Sequence, residues 1–413
     1  MSSLNSIVRN AAIIGILFLL SGGIILIVGD VESSMIAKAI WGTIYVFTCL
    51  LVFMSSSSVL SLVQRNSGFM ILALLCLASA TWSSDRSTTV SHSIAFFGST
   101  MLGYLIATKI EPIKLLRLMA IALSILLAIN VVMMLPNLSG YLGPSMRYSG
   151  SFPHANMLGR ISGLAVLMFL LLLSTRVISL TWGCAGAGMG GLLLIACESM
   201  TSIVALCVAF GVFLIRRVLG GPVGVGCVAV AIWFLFCSGG LIWVNWSAII
   251  DFSLGLMGRS SNLTGRTGLW EGIWDVVLQN PILGYGYSAF WGGEKYLVRS
   301  VFVDAGWHAK SAHNGLLGIA LDLGFVGVLT FVFTAGRSFL NGFKLAFMSR
   351  SRLSILLLSI LSYLLILGLA ESNYVVRNSI YWVLFLICSV YLLRIKDGEV
   401  SEGSATGDEE KDA

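Results

Sequence analysis

The chain has 413 residues, of which 57% are hydrophobic and 11% charged, with a mean hydropathy of +0.94 and a formal net charge of +6. A soluble domain carries roughly 25% charged residues, so these polar groups are too few to cover a water-facing surface of this size. The positive residues collect in short loops between apolar runs, which makes the net charge a topology signal and not a mark of nucleic-acid binding.

Apolar runs of about 17–25 residues, each long enough to cross a bilayer, recur from end to end. The first, Ala11 to Val28, lacks a small-residue cleavage site and leads into further spans, so it reads as a retained helix and not a signal peptide. Taken in order, the runs predict about twelve spans near 11–28, 36–54, 68–82, 90–108, 115–135, 157–174, 178–197, 201–215, 223–250, 313–335, 353–371 and 378–394. The fold class expected is all-α, a polytopic transmembrane bundle over 1–396. The acidic, Gly/Ser-rich stretch 397–413 reads as a disordered cytoplasmic tail. Cys49, Cys76, Cys184, Cys197, Cys207, Cys227, Cys237 and Cys388 all lie in apolar stretches, at spacings that suit neither a metal site nor a disulfide framework.

Basic residues set the orientation. With the N-terminus inside, inner segments hold Arg65, Lys109, Lys114, Arg117, Arg176, Arg216, Arg217, Arg337, Lys344, Arg350, Arg352, Arg394 and Lys396. The short outer loops hold few: Arg86, Arg147 and Arg377, with Arg160 just inside the sixth span. Both termini are therefore expected in the cytoplasm. One connection, 251–312, is far longer than the usual 2–8 residues between helices, and this topology places it outside. Within it Leu269, Trp270, Ile273, Trp274, Val276 and Val277 recur at helical spacing, and the helix should stop at Asn280-Pro281. A Trp-rich amphipathic helix of this kind is expected to lie on the membrane surface.

His92, His154, His308 and His313 all fall at or near the outer face of this topology. So do Arg147, Arg160, Arg266, Arg299, Lys310 and Arg377. Ionisable groups at a membrane edge are functional candidates by default. For any one of them a snorkelling side chain or a salt bridge is the plainer account. The charges read inside spans are Lys38 and Arg160, near their ends. Motifs follow in order: T-W-S-S-D-R at Thr81–Arg86, R-Y-S-G-S-F-P-H-A-N from Arg147 to Asn156, and G-R-T-G-L-W at Gly265–Trp270. Next come N-P-I-L-G-Y-G-Y at Asn280–Tyr287, A-H-N-G from Ala312 to Gly315, L-G-F-V-G at Leu323–Gly327 and E-S-N at Glu371–Asn373.

This ordered set resembles the O-antigen ligase/Wzy polymerase superfamily of bacterial surface-polysaccharide proteins, and most closely its exopolysaccharide polymerases of the ExoQ type. The resemblance runs from Trp82 to Asn373 and is strongest over Gly265–Gly327. Its specificity lies in the order, since any one element alone is weak. It implies glycosyl transfer on the periplasmic side of the inner membrane, from a glycan carried on undecaprenyl diphosphate. No cofactor, nucleotide sugar or required metal is implied. The implied partners are that lipid-linked glycan, the bilayer, and the chain-length regulator and flippase of the same pathway.

The residue chemistry fits independently. A diphosphate leaving group needs cations, and arginine's planar fork bonds phosphate oxygens bidentately. Arg147 and Arg266 match the family's arginine positions, with Arg160 and Arg377 as helpers. An acceptor hydroxyl must lose a proton, and histidine is the side chain suited to take it near neutral pH; His313 holds the motif position. Asn314 is expected to orient that ring or bond the sugar, and His154 and Asn156 to serve the acceptor or the diphosphate. Glu371 is expected to pair with an arginine or to act in catalysis. The alternatives to a polymerase are a ligase acting on lipid A core and, from another class, a flippase or transporter. Transporters tend to show two similar halves and helices broken at mid-membrane, and no such repeat is evident. A nucleotide-sugar transferase would need an Asp-x-Asp motif, which the chain lacks.

Overall fold

Each predicted span except 223–250 is a helix in the computed structural model, which describes residues 2–32, 34–137, 147–219, 264–293, 295–349 and 351–400. The exception lies outside the described residues. The helices are α1 (Ser2–Phe18), α2 (Ile24–Val28), α3 (Met35–Met54), α4 (Ser56–Arg65) and α5 (Gly68–Ala78), then α6 (Arg86–Lys109), α7 (Pro112–Met134), α8 (Ala155–Ser174), α9 (Leu180–Ala196) and α10 (Met200–Leu219). Beyond the gap come α11 (Thr264–Val277), α12 (Lys295–Ala305), α13 (Gly315–Phe343), α14 (Arg352–Ala370) and α15 (Ile380–Lys396). Among the described residues 8 helical segments are long and apolar enough to cross a membrane, or 9 if α4 and α5, bent by 92°, form one broken span. No strand occurs among them.

Burial follows the hydrophobic pattern. α14 is apolar on every face, the mark of a helix surrounded by protein, and it packs against α8, α10, α13 and α15. Its polar residues do not disturb this, because Ser359 and Ser362 return their hydroxyls to the carbonyls of Ile355 and Leu358 at 2.8 Å. By contrast α3 leaves Phe47, Leu50, Phe53 and Met54 exposed, an apolar flank suited to lipid.

The bundle has two chemically different ends. At one, basic residues predicted for inner loops tie those loops together. Arg117 donates to the Val177 carbonyl at 3.2 Å, Arg394 to Ala107 at 2.7 Å and Arg216 to Ala346 at 2.6 Å. Arg65 pairs with Asp397 and Glu399 at this same end. Residues 397–400 are thus packed down, with Val400 buried, and the free tail predicted from 397 does not begin there. Residues 401–413 lie outside the described residues.

At the other end three of the motifs form one interlock, and α13 is not the continuous span expected. It breaks at Gly324 (φ 63°, ψ −164°), and the backbone of Pro281–Gly286 fills the break. Tyr285 and Gly286 donate their amides to the carbonyls of Leu321 and Asp322, at 2.8 and 3.0 Å. In return Phe325 and Val326 donate to Pro281 and Ile282, at 2.7 and 3.2 Å. The carbonyls and amides freed by the break are satisfied by the loop, as burial requires. The T-W-S-S segment clasps the same loop from the far side: Trp82 donates to the Leu283 carbonyl and the Ser84 amide to Tyr285, at 3.0 and 3.1 Å. Asp85 caps α6 through Thr88, whose hydroxyl bond holds that carboxyl below its ordinary range. α13 also carries an acid, Asp322, missing from the charges read within spans, and its backbone carbonyl takes part in the break.

A side chain at Gly324 would put its Cβ 2.2 Å from the Ile282 carbonyl oxygen. Gly324→Ala is expected to lower the melting midpoint of the purified protein sharply, since the backbone conformation alone costs ~1–3 kcal/mol for a non-glycine residue. Heating followed by size exclusion reads this directly. An unchanged midpoint would mean that the break accepts a Cβ.

The described part of the long loop is folded as a small lobe. The predicted helix is α11, and it gives way at Asn280-Pro281 to turns. Leu269, Ile273, Val276 and Val277 do not face outward as a membrane-surface helix would require. They are fully buried in a separate apolar cluster with Val298 and Val301 of α12 and Leu321 of α13. A second amphipathic helix, α12, supplies the surface that the sequence reading had assigned to lipid headgroups. Trp274 remains 45% exposed on the opposite flank.

Candidate functional site

The A-H-N-G motif is a turn built to present one ring. His313 sits in the left-handed region (φ 45°), a conformation costing a non-glycine residue about 1–3 kcal/mol. The next two residues hold it there. Asn314 caps α13, its Oδ1 accepting from the amides of Leu316 and Leu317 at 3.0 and 3.2 Å. At Gly315 a Cβ would fall 2.3 Å from the Tyr374 ring and 2.7 Å from the Gly368 carbonyl. On the other side Trp270 Nε1 donates to the Ala312 carbonyl at 2.9 Å. Asn314 is therefore a helix cap through its Oδ1, and Trp270 fixes the backbone beside the histidine.

From His313 a chain of polar contacts crosses three segments far apart in sequence. His313 Nδ1 lies 3.4 Å from Glu371 Oε2. Glu371 closes α14 and is 4% exposed. Its other oxygen accepts from Asn156 Nδ2 at 3.3 Å. Asn156, in the first turn of α8, turns its Oδ1 to the Arg147 guanidinium. Between a carboxylate and a guanidinium an amide has one workable orientation, NH₂ to the acid and C=O to the base. Arg147 is also bonded to the Cys197 carbonyl at 3.1 Å, while its guanidinium stays exposed.

The segment carrying Arg147 is pinned on both flanks. The Tyr148 amide donates to Ala196 at 2.9 Å, its hydroxyl to the Asn130 carbonyl at 2.7 Å, and the Ser151 amide to Asn130 Oδ1 at 2.8 Å. One turn further along α8, Arg160 bonds Asn373 and lies over the Tyr381 ring at 5.8 Å. The Asn373 amide in turn donates to the Glu371 carbonyl at 2.8 Å. Arg160 therefore braces the segment that holds Glu371.

Other predicted residues stand apart. His154 precedes α8, exposed, its carbonyl accepting from Met157 at 2.9 Å. Arg377 belongs to a second cluster, with Nη2 2.9 Å from His92 Nε2 and its amide 3.2 Å from the Tyr287 hydroxyl. Arg266 lies in α11, and its side chain is outside the described residues. The sequence reading missed the roles of Cys197, Asn373 and Tyr381. It also missed Trp307, whose ring centroid is 5.7 Å from that of His313. Of these only Asn373 stands in a motif, E-S-N, and the others are brought in by packing.

Residues 184–332 match the family model Wzy_C, O-antigen ligase. A 101-residue stretch is 28% identical to the exopolysaccharide production protein ExoQ of Rhizobium meliloti (strain 1021), covering 23% of this chain. Both matches support a likeness of this chain to the O-antigen ligase/Wzy superfamily, and to ExoQ, over the stretches they cover. The chain spans about 22% of the length of that relative. The Wzy_C match takes in α11, the Pro281–Gly286 loop with the break in α13, and the A-H-N-G turn, and leaves out the T-W-S-S segment. Arg147, Asn156, Arg160 and Glu371 lie beyond its bounds, and the fold brings three of them to His313. A multi-pass membrane protein follows from the family and the apolar helices together.

Proposed function

We propose that this chain is a membrane-embedded polysaccharide polymerase. It transfers glycan from an undecaprenyl-diphosphate-linked donor to a hydroxyl of a lipid-linked acceptor repeat unit, on the periplasmic side. The observation that carries this reading is the polar chain from His313 through Glu371 and Asn156 to Arg147, which joins a base to an exposed phosphate-binding cation at one end of an apolar bundle. In the reaction the acceptor oxygen bonds to the anomeric carbon as the bond from that carbon to the diphosphate oxygen breaks. The diphosphate leaves with the electron pair, held by Arg147 and Arg266. His313 Nε2 takes the hydroxyl proton.

A transporter would use a broken helix to line its substrate site with unwound backbone. The break in α13 is instead closed by Pro281–Gly286, which favours a fixed scaffold. Deletion of the gene followed by analysis of lipid-linked intermediates tests the reading. Loss of a polymerase leaves single repeat units on the carrier in the outer leaflet. Loss of a ligase acting on lipid A core leaves full-length polymer on the carrier, and loss of a flippase leaves single units on the inner leaflet. Either of the last two results would overturn the proposal.

A further inference from the structure

We infer that Glu371 is the positioning residue for His313: it holds the ring proton on Nδ1, so that Nε2 stands free to take a proton, and through Asn156 it couples that base to Arg147. The inference rests on His313 acting as the base. A buried carboxylate only accepts hydrogen bonds. The imidazole nitrogen facing Glu371 Oε2 is Nδ1, at 3.4 Å, so the arrangement is satisfied when Nδ1 carries the hydrogen. The neutral ring then has its lone pair on Nε2, on the side away from Glu371. When Nε2 takes a proton the ring becomes a cation, and the same carboxylate stabilises it.

The second half of the inference comes from the amide between the two charges. Asn156 is bonded at once to Glu371 Oε1 and to Arg147, so Arg147 cannot shift without changing the bond that Glu371 feels. Arg147 is the exposed member of the chain and Glu371 the buried one. A diphosphate that draws the guanidinium toward itself would loosen its hold on Asn156, and the change would pass to Glu371 and His313. Donor binding and the readiness of the base are then one linked event.

The test is nitrogen-15 histidine NMR on the full chain in nanodiscs, with the His313 signals assigned by their loss in His313→Gln, beside steady-state kinetics. In the wild type the neutral His313 ring should carry its proton on Nδ1. In Glu371→Gln that preference should be lost, because the new side-chain amide offers either a donor or an acceptor. The turnover number should drop at least about tenfold with KM little changed. Glu371→Asp should restore part of both. Adding inorganic diphosphate should shift the His313 signals in the wild type but not in Asn156→Ala. A wild-type ring protonated on Nε2, or a Glu371→Gln protein with unchanged tautomer and turnover, would overturn the positioning role. Diphosphate shifts that persist in Asn156→Ala would overturn the coupling. Full turnover of His313→Gln is a separate result, which removes the base assignment while leaving the tautomer measurement to stand or fall by itself.

Discussion

Replacing His313 with glutamine is expected to reduce polymer formation by about 100- to 10,000-fold, the range that general-base catalysis supplies. Glutamine keeps much of the side chain's hydrogen-bonding reach but cannot accept a proton at neutral pH, so it separates proton transfer from sugar binding. The site geometry sharpens the expectation. The ring is held in a left-handed backbone conformation by the Asn314 cap and the close packing at Gly315, and strain of this kind persists where the surroundings over-determine it. The motif's capping work is done by Asn314, which frees the histidine from that role. Purified protein, a synthetic lipid-linked repeat unit and a pH series would read the effect. Donor binding should be largely retained. Near-normal turnover with an unchanged pH profile would make His313 a positioning group and send the search for the base elsewhere.

Arg147→Ala is expected to lower turnover by about 100- to 1,000-fold, the loss that follows removal of one preorganised donor to a developing anion, or ~2.7–4 kcal/mol. Two features of the fold support so large an effect. The guanidinium is exposed yet fixed from behind by the Cys197 carbonyl and Asn156, so it meets a ligand with little ordering cost. Its segment is also pinned to Asn130 and Ala196. Lysine should rescue poorly, because a point charge cannot hold the Cys197 carbonyl and a phosphate oxygen with one planar fork. Arg266→Ala is expected to behave alike if both cations grip one diphosphate. Insertion and size-exclusion profiles should stay normal in each variant. Wild-type polymer yield from Arg147→Ala at normal expression would take this residue out of the mechanism.

Much of the architecture could be read from periodicity. Helix positions follow from apolar runs, and α11 with its stop at Asn280-Pro281 follows from spacing and proline chemistry. The polar residues were harder. The N-P-I-L-G-Y-G-Y and L-G-F-V-G motifs stand out in the sequence but give no hint that they bond to each other across a broken helix. That pairing is made by backbone groups, which carry no side-chain signature. The cap made by Asn314 was not legible, because capping depends on where a helix begins to within a residue.

The membrane class and the helical fold were legible in the sequence alone, as was a wider roster of candidates that also held Arg266, His154, Asn314, Arg160 and Arg377 beside His313, Arg147, Asn156 and Glu371. The reason is that burying so much apolar surface without covering charge leaves a bilayer as the fitting solvent, and rare ionisable residues in such a chain are few enough to name. What only the tertiary structure decided is which of them meet. Residues 147, 156, 313 and 371 lie on the entry to α8, its first turn, the turn before α13 and the end of α14, and no local rule brings those ends together. Packing of α14 against both α8 and α13 does. Packing of α15 against α6 carries Arg377 to His92 instead, and packing of α12 against α11 gives that helix its partner. Contacts between distant segments depend on how whole helices fill space against one another, and that information is spread over their buried faces, not held in any motif.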